Sequence, residues 1–273
     1  IPAFDSSQTI YGVLHWGNFE GLFRSSLTRF SGKQLVDRLE GFVFLTRTLS
    51  ERCSSWIPPE KRFVIPNTID DALICSDVET ALKQEERADR NSLRLLFLSN
   101  MTPSKGYMDV LHATRLLLER DFEVYTDFVG RWEHSGDRDN FFTVVNEHSL
   151  EPHITHHEAI EDRERIKALH LQADLFLLPT YYPNEAQPLT IIEALNAGTP
   201  VVTTQHAGIP EMVTDELEGR FVPPEDPQAI ADAVESIAPI DQWSDYSQAA
   251  RRRFLEQFSP ETVREKWLNL LGD

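Results

Sequence analysis

Cysteine is scarce: Cys53 and Cys75 are the only two among 273 residues. Neither belongs to a Cys-x-x-Cys pair, which argues against a disulfide scaffold and fits a reducing compartment. No run of about 20 apolar residues exists, so no segment reads as a membrane-spanning helix. The first residues, Ile1-Pro2-Ala3-Phe4-Asp5, lack an initiator Met and a basic region followed by an apolar stretch. They do not read as a signal peptide; they read as the middle of a longer chain. A cytoplasmic location, with the inner face of the membrane as an alternative, is the corresponding expectation.

Positive charge is also in short supply. Lys and Arg number 26 against 44 Asp and Glu, a formal net charge of -18, which disfavours a nucleic-acid binder. The deficit is uneven, for residues 1–67 hold eight Lys/Arg and six Asp/Glu. That first segment is the one suited to an anionic acceptor or to peripheral contact with a membrane. What is present is enough for a core: 41% hydrophobic and 10% aromatic residues, in a length that fits one large or two ordinary domains.

From residue 93 onward, short apolar runs alternate with helical periodicity. Strands are expected at 95–99, 122–129, 154–156, 174–178 and 199–203. Helices are expected at 107–119, within 141–149, and at 162–170, 189–196, 209–214 and 227–237. This rhythm predicts an α/β fold with a parallel sheet covered on both faces. Ligands of such sheets bind beyond the carboxyl ends of the strands, where Asn100, Lys105, Gly130, Glu158 and Glu185 all fall. Residues 10–70 read as part of a second α/β unit, with strands near 11–15, 41–45 and 62–65 and helices near 33–39 and 46–56. The division is 1–70 for that partial unit, 71–91 for a polar linker, 92–240 for the main unit, and 241–273 for terminal helices that pack on either unit.

The candidate site centres on two carboxylates eight positions apart, Glu185 and Glu193. A helical carboxylate accepts hydrogen bonds from two adjacent hydroxyls, which suits Glu193 to a ribose. Pro188 fits the first turn of its helix, leaving amides around Gln187, Leu189 and Thr190 for phosphate or sugar oxygens. Glu185, in the preceding loop, suits a sugar hydroxyl or positive charge developing at an anomeric carbon. Lys105, at the mouth of a strand–helix turn, suits a diphosphate leaving group, and Asn100 either donates to phosphate or caps a turn. Backbone groups at Glu158 and Ala159 suit a base edge, with Ile160 packing on the base. Trp132 either lines the cleft or packs in the core. His15 either contacts an acceptor hydroxyl or sits at the core edge. His153, His156 and His157 lack a zinc-ligand spacing, so no metal is assigned.

Taken in order, these pieces resemble the nucleotide-sugar-binding domain of retaining glycosyltransferases of the GT4 type, which have the two-domain GT-B fold. The resemblance rests on Ser99-Asn100-Met101-Thr102-Pro103-Ser104-Lys105-Gly106, then Phe128-Val129-Gly130. It continues through Ala173-Asp174-Leu175-Phe176-Leu177-Leu178-Pro179, the Glu185 to Glu193 spacing, and Ala197-Gly198-Thr199-Pro200-Val201-Val202. It ends with Gly208-Ile209-Pro210-Glu211, and Asn67 in Val64-Ile65-Pro66-Asn67 matches the family text before the linker. The resemblance implies that Lys105 binds the donor diphosphate, Glu193 the ribose and Glu185 the transferred sugar. It further implies that residues 187–190 support sugar and phosphate oxygens, that 158–160 hold the base, and that His15 lies across the cleft. The implied reaction moves a sugar from a UDP- or GDP-sugar to a glycan, lipid-linked or small-molecule acceptor without a metal or other cofactor, in polysaccharide synthesis. An epimerase on the same scaffold and a noncatalytic sugar-nucleotide-binding subunit are the alternatives.

Three departures qualify the resemblance. Asn100 stands where the family has a basic residue. Ala186-Gln187-Pro188 replaces the usual Gly-Phe-Gly, which stiffens the sugar loop. Roughly the first half of the family's N-terminal domain has no counterpart, so the chain is expected to be part of a longer enzyme.

Overall fold

The computed structural model describes residues 10–14 and 26–272; His15 lies outside the described residues. A small parallel sheet is ordered β1 (Tyr11–Leu14), β2 (Gly41–Phe44), β3 (Arg62–Val64). The central strand, Gly-Phe-Val-Phe, is buried at every position, as a strand covered on both faces must be. Helices α1 (Ser26–Arg38) and α2 (Arg47–Arg52) make the crossovers. Helix α2 is shorter than the expected 46–56. Thr46 caps its start by accepting from the Leu49 amide, and the chain leaves the helix at Cys53.

The polar stretch 71–91 carries more structure than the word linker suggests. A 3-10 turn at Asp71–Leu73 leads to α3 (Asp77–Ala88). Ser76 and Glu79 form a reciprocal capping box at its start. Its charged appearance hides two buried cations, Lys83 and Arg87. The Arg87 guanidinium donates to the Ala238 carbonyl at 2.7 Å and lies 3.6 Å from the Asp174 carboxylate. The apolar residues Val78 and Leu82 of α3 are exposed, while the long cationic side chains bury their stems as an apolar face would.

The large sheet holds six parallel strands: β4 (Leu93–Leu98), β5 (Val124–Val129), β6 (Ile154–His157), β7 (Leu175–Leu178), β8 (Val201–Thr203) and β9 (Gly219–Phe221). Their spatial order is β6-β5-β4-β7-β8-β9. The helices between them are α4 (Tyr107–Glu119), α5 (Ser135–Glu147), α6 (Arg163–Gln172) and α7 (Leu189–Asn196), followed by α8 (Pro227–Ile237), α9 (Ile240–Gln257) and α10 (Pro260–Leu271). The chain runs outward through β5 and β6, then returns to pair β7 with the other side of β4. Connections leaving β4 and β7 therefore diverge, which opens a crevice at their carboxyl ends.

The sequence reading also departs from the structure at β9, at 209–214 and at the start of α5. Strand β9 was not foreseen, because Gly-Arg-Phe is too short and too polar to read as a strand; Gly219 is needed there, since a Cβ would lie 1.8 Å from the Val201 carbonyl oxygen. The helix expected at 209–214 is only a 3-10 turn, Ile209–Glu211. Helix α5 begins at Ser135, before the apolar residues that signalled it.

The two sheets are tied together by side chains reaching far along the chain. The Glu211 carboxylate accepts from the Arg47 and Thr48 amides at 2.7 Å each, satisfying the open start of α2. The Gln187 amide accepts from the Asn67 amide at 2.7 Å and donates to the Leu45 carbonyl at 3.2 Å. Val263 of α10 is buried with Val43 and Ile65 of the small unit, so the terminal helices touch both.

Asp174, 1% exposed, knots α3 to the sheet by accepting from the Arg94 amide and the Arg90 guanidinium at 2.7 Å each. Asp174→Ala strands these cations and is expected to destabilise the fold by ~3–5 kcal/mol in a denaturant titration; an unchanged midpoint would refute the knot. Burial pushes the Lys83 ammonium down to about 7, whereas burial raises the Cys75 thiol to about 11. Between pH 7 and 9 the unfolded chain therefore holds a proton at Lys83 that the folded chain lacks, so stability rises with pH. Lys83→Met is expected to flatten that rise, read from denaturation curves across the same window.

Candidate functional site

The turn after β4 and the loop after β7 are pressed together across the crevice. Gly106 has φ +81°, and a Cβ there would come within 2.7 Å of Pro179. The Tyr181 amide donates to the Ser104 carbonyl at 2.8 Å. These contacts bring Lys105 to Glu185, Nζ to Oε2, at 2.5 Å. Both side chains are largely buried, at 15% and 9% exposure, and Thr180 donates a second hydrogen bond to the same carboxylate oxygen at 3.2 Å. The ammonium also lies 4.8 Å from the centre of the Tyr182 ring.

Beside this pair opens a cavity of about 420 Å³. Its walls come from the end of β4 with Ser99, Asn100, Thr102 and Lys105. The loop after β5, with Arg131, Trp132 and Glu133, and Tyr182 from the loop after β7 complete it. Gly130 permits the approach of the first two segments, because a Cβ there would sit 1.8 Å from the Ser99 carbonyl oxygen. Met101 donates its amide to the Arg131 carbonyl at 2.9 Å, extending the strand pairing by one step. Trp132 faces the cavity and also packs edge-on against Tyr107 at 5.3 Å, so both of its sequence readings hold together. The Thr102 hydroxyl donates to Glu133 at 3.1 Å.

Helix α7 starts after Pro188 with no side-chain cap, so the first-turn amides of Leu189 and Thr190 have no side-chain acceptor. The Leu189 side chain is 47% exposed. Glu193 lies one turn further on, 8% exposed, and accepts from His170 Nε2 of α6 at 3.3 Å. His170 is itself 2% exposed. Its backbone carbonyl accepts from Lys83 Nζ at 3.0 Å, which links the buried lysine to the helix that carries Glu193's partner.

The structure thus brings Asn100, Lys105, Gly130 and Glu185 to one rim. Glu193 stands apart from the cavity walls, held by His170. The Gln187 side chain turns toward the small sheet instead of the crevice, although its backbone remains at the start of α7. Glu158 and Ala159 are exposed beyond β6, and Ile160 packs against the core of the large sheet. The three histidines of the 153–157 segment have separate partners. His153 donates to the Val124 carbonyl at 2.9 Å, His156 to the Gly130 carbonyl at 3.2 Å, and His157 to the Asp127 carboxylate at 2.7 Å. Arg131, Glu133, Tyr182 and His170 were missed. The first two follow a strand end, the signal that found Gly130, but His170 lies in the last turn of α6, where a basic residue reads as ordinary helix-end chemistry.

Comparison with known proteins agrees with this fold. The structure of Anabaena Alr3699/HepE in complex with UDP superposes with a TM-score of 0.79 at 18% identity, covering 97% of this chain and 72% of that one. Sucrose-phosphate synthase from Thermosynechococcus elongatus gives a TM-score of 0.74 at 21% identity, covering 96% and 66%. The fold, with its two parallel sheets, is of the GT-B type. Among curated relatives, the putative colanic acid biosynthesis glycosyltransferase WcaL of Escherichia coli is 26% identical over 193 residues, 68% of this chain and 46% of WcaL. The amylovoran biosynthesis glycosyltransferase AmsK of Erwinia amylovora is 29% identical over 144 residues, 51% of this chain and 34% of AmsK. The chain spans about half or less of the length of these relatives. Residues 78–253, which include nearly all of α3, the crevice and both glutamates, match the family model for glycosyl transferases group 1, and the chain belongs to that family.

Proposed function

We propose that this chain carries the donor site of a retaining, metal-independent glycosyltransferase of the GT4 type, acting in polysaccharide synthesis. Residues 92–240 hold the donor, a UDP- or GDP-sugar, and the small unit within 1–70 faces the acceptor, a glycan, a lipid-linked sugar or a small molecule. The observation that carries this reading is the meeting of Lys105 and Glu185 at 2.5 Å beside a polar cavity, at the strand ends where the chain reverses direction. A reading of polysaccharide synthesis is supported by the similarity to WcaL and AmsK.

The chemistry follows from charge. Leaving-group departure builds negative charge on the diphosphate, and a cation already fixed in a partly dry site stabilises it more than one that must first reorganise. Lys105 is that cation, and the uncapped amides at Leu189 and Thr190 add the positive end of α7. Without donor, the ammonium is held by Glu185. The diphosphate displaces that carboxylate, which is then free to meet the transferred sugar. With no side-chain nucleophile assigned at the anomeric carbon, same-face attack by the acceptor, assisted by the departing phosphate, is the proposed route. Glu193 holds the ribose through the carboxylate that His170 orients, and the 158–160 segment lies near the base. Contacts such as Glu211 with the start of α2 bring the two units together, and closure of the units around donor and acceptor would exclude water from the reaction.

A product assay separates the readings. Incubating the intact protein with a panel of nucleoside diphosphate sugars and candidate acceptors is expected to release nucleoside diphosphate together with a glycosylated acceptor, read by mass. Release with an epimerised free sugar and no acceptor would instead mark an epimerase; donor binding without turnover would mark a noncatalytic subunit.

Substitution divides the roles of the carboxylates. Glu193→Ala is expected to weaken nucleoside diphosphate binding roughly tenfold or more, from loss of charge-assisted hydrogen bonds. Glu185→Gln is expected to abolish most transfer while leaving bare nucleoside diphosphate affinity unchanged or tighter, because it removes the competitor for Lys105. Calorimetry showing weaker binding in Glu185→Gln than in Glu193→Ala would reverse the assignment.

A further inference from the structure

The charges at the cavity leave a diphosphate short of cations. Lys105 is engaged by Glu185, Asn100 is neutral, and Glu133 contributes a negative charge to the same wall. One other cation lines the cavity, Arg131. It is exposed, and among the described residues its guanidinium has no hydrogen bond or ion pair.

Its backbone, by contrast, is fixed on both sides. The Arg131 carbonyl accepts from the Met101 amide at 2.9 Å, and the preceding Gly130 is pressed against Ser99 too closely for any side chain. The following Trp132 is anchored by rings, 5.3 Å from both Tyr107 and Phe141. The guanidinium therefore swings from a rigid base directly beside Asn100. An exposed cation with no partner loses little when it turns to a ligand, and a guanidinium fork matches phosphate oxygens bidentately. In a protein of net charge -18, an unpaired arginine at the mouth of a polar cavity is also the local exception that admits an anion.

We infer that Arg131 is the second phosphate-binding cation of the donor site, supplying from the β5 loop the charge that the neutral Asn100 leaves out of the β4 turn. This inference rests on the donor-site reading above. It makes Lys105 and Arg131 a clamp from two adjacent strand ends, one buried and one exposed. The exposed member captures the diphosphate first, and its presence eases the exchange of Lys105 from Glu185 to phosphate.

Calorimetry on the full chain tests this with UDP, GDP, uridine and guanosine as probes, comparing the unaltered protein with Arg131→Gln and Arg131→Lys. Arg131→Gln is expected to weaken the preferred nucleoside diphosphate about tenfold, to spare the corresponding nucleoside, and to flatten the salt dependence of diphosphate binding. Arg131→Lys is expected to recover part of the loss, as a point charge without the fork. Diphosphate affinity unchanged in Arg131→Gln, or an equal loss for diphosphate and nucleoside, overturns the proposal while leaving the donor site standing. Failure of the unaltered protein to bind either nucleoside diphosphate overturns the donor reading and this proposal with it.

Discussion

Lys105 and Glu185 approach to 2.5 Å in surroundings that leave each less than one-fifth exposed, and the crevice is arranged around that contact. A buried ion pair contributes little net stability, because desolvation offsets attraction, yet either charge left alone is costly. The pair is therefore a poor structural strut and a good exchangeable one. An anion that offers Lys105 more oxygens than a single carboxylate can replace Glu185 without leaving the lysine stranded. The glycine at 106 and the pressed turn at Ser104–Tyr181 hold the lysine at the point where the chain reverses direction in the sheet, so the geometry of exchange is set by backbone.

The contacts between the two units lie next to this pair in sequence. Ala186 is buried with Phe42, Phe44 and Leu49 of the small unit, and Gln187 reaches Leu45 and Asn67. The loop that begins with Glu185 thus ends as part of the other unit's core. Glu185 therefore lies within two residues of the seam between units. Pro188 then restarts the chain as helix α7. Ala186 and Gln187 thus supply side chains to the seam that glycines at these positions would lack.

The large sheet was legible because its central strands are short apolar runs and α4, α7 and α8 repeat apolar residues at helical spacing. What escaped notice follows one physical pattern. Helix α3 is secured by buried cations instead of apolar residues, and β9 is three residues fixed by pairing with β8 and by a glycine. Neither shows its buried face as an apolar run, and the apolar Val78 and Leu82 of α3 are exposed. At the site, motif order pointed to Lys105, Glu185 and Glu193 individually. It did not show that the first two pair, that His170 orients the third, or that Arg131 shares the wall with Asn100. Those are contacts 80, 23 and 31 residues apart, set by the order in which strands lie side by side. Gln187 illustrates the reverse: its position in the helix-start loop was plain, but its side chain serves the seam.

The most direct test of the exchange at Lys105 is a crystal structure of the protein soaked with a nucleoside diphosphate. The account predicts diphosphate oxygens within hydrogen-bond distance of Lys105 Nζ, the ribose at Glu193, and the Glu185 carboxylate withdrawn from the ammonium. A nucleotide bound elsewhere, or bound here with the Lys105–Glu185 pair intact, would contradict it.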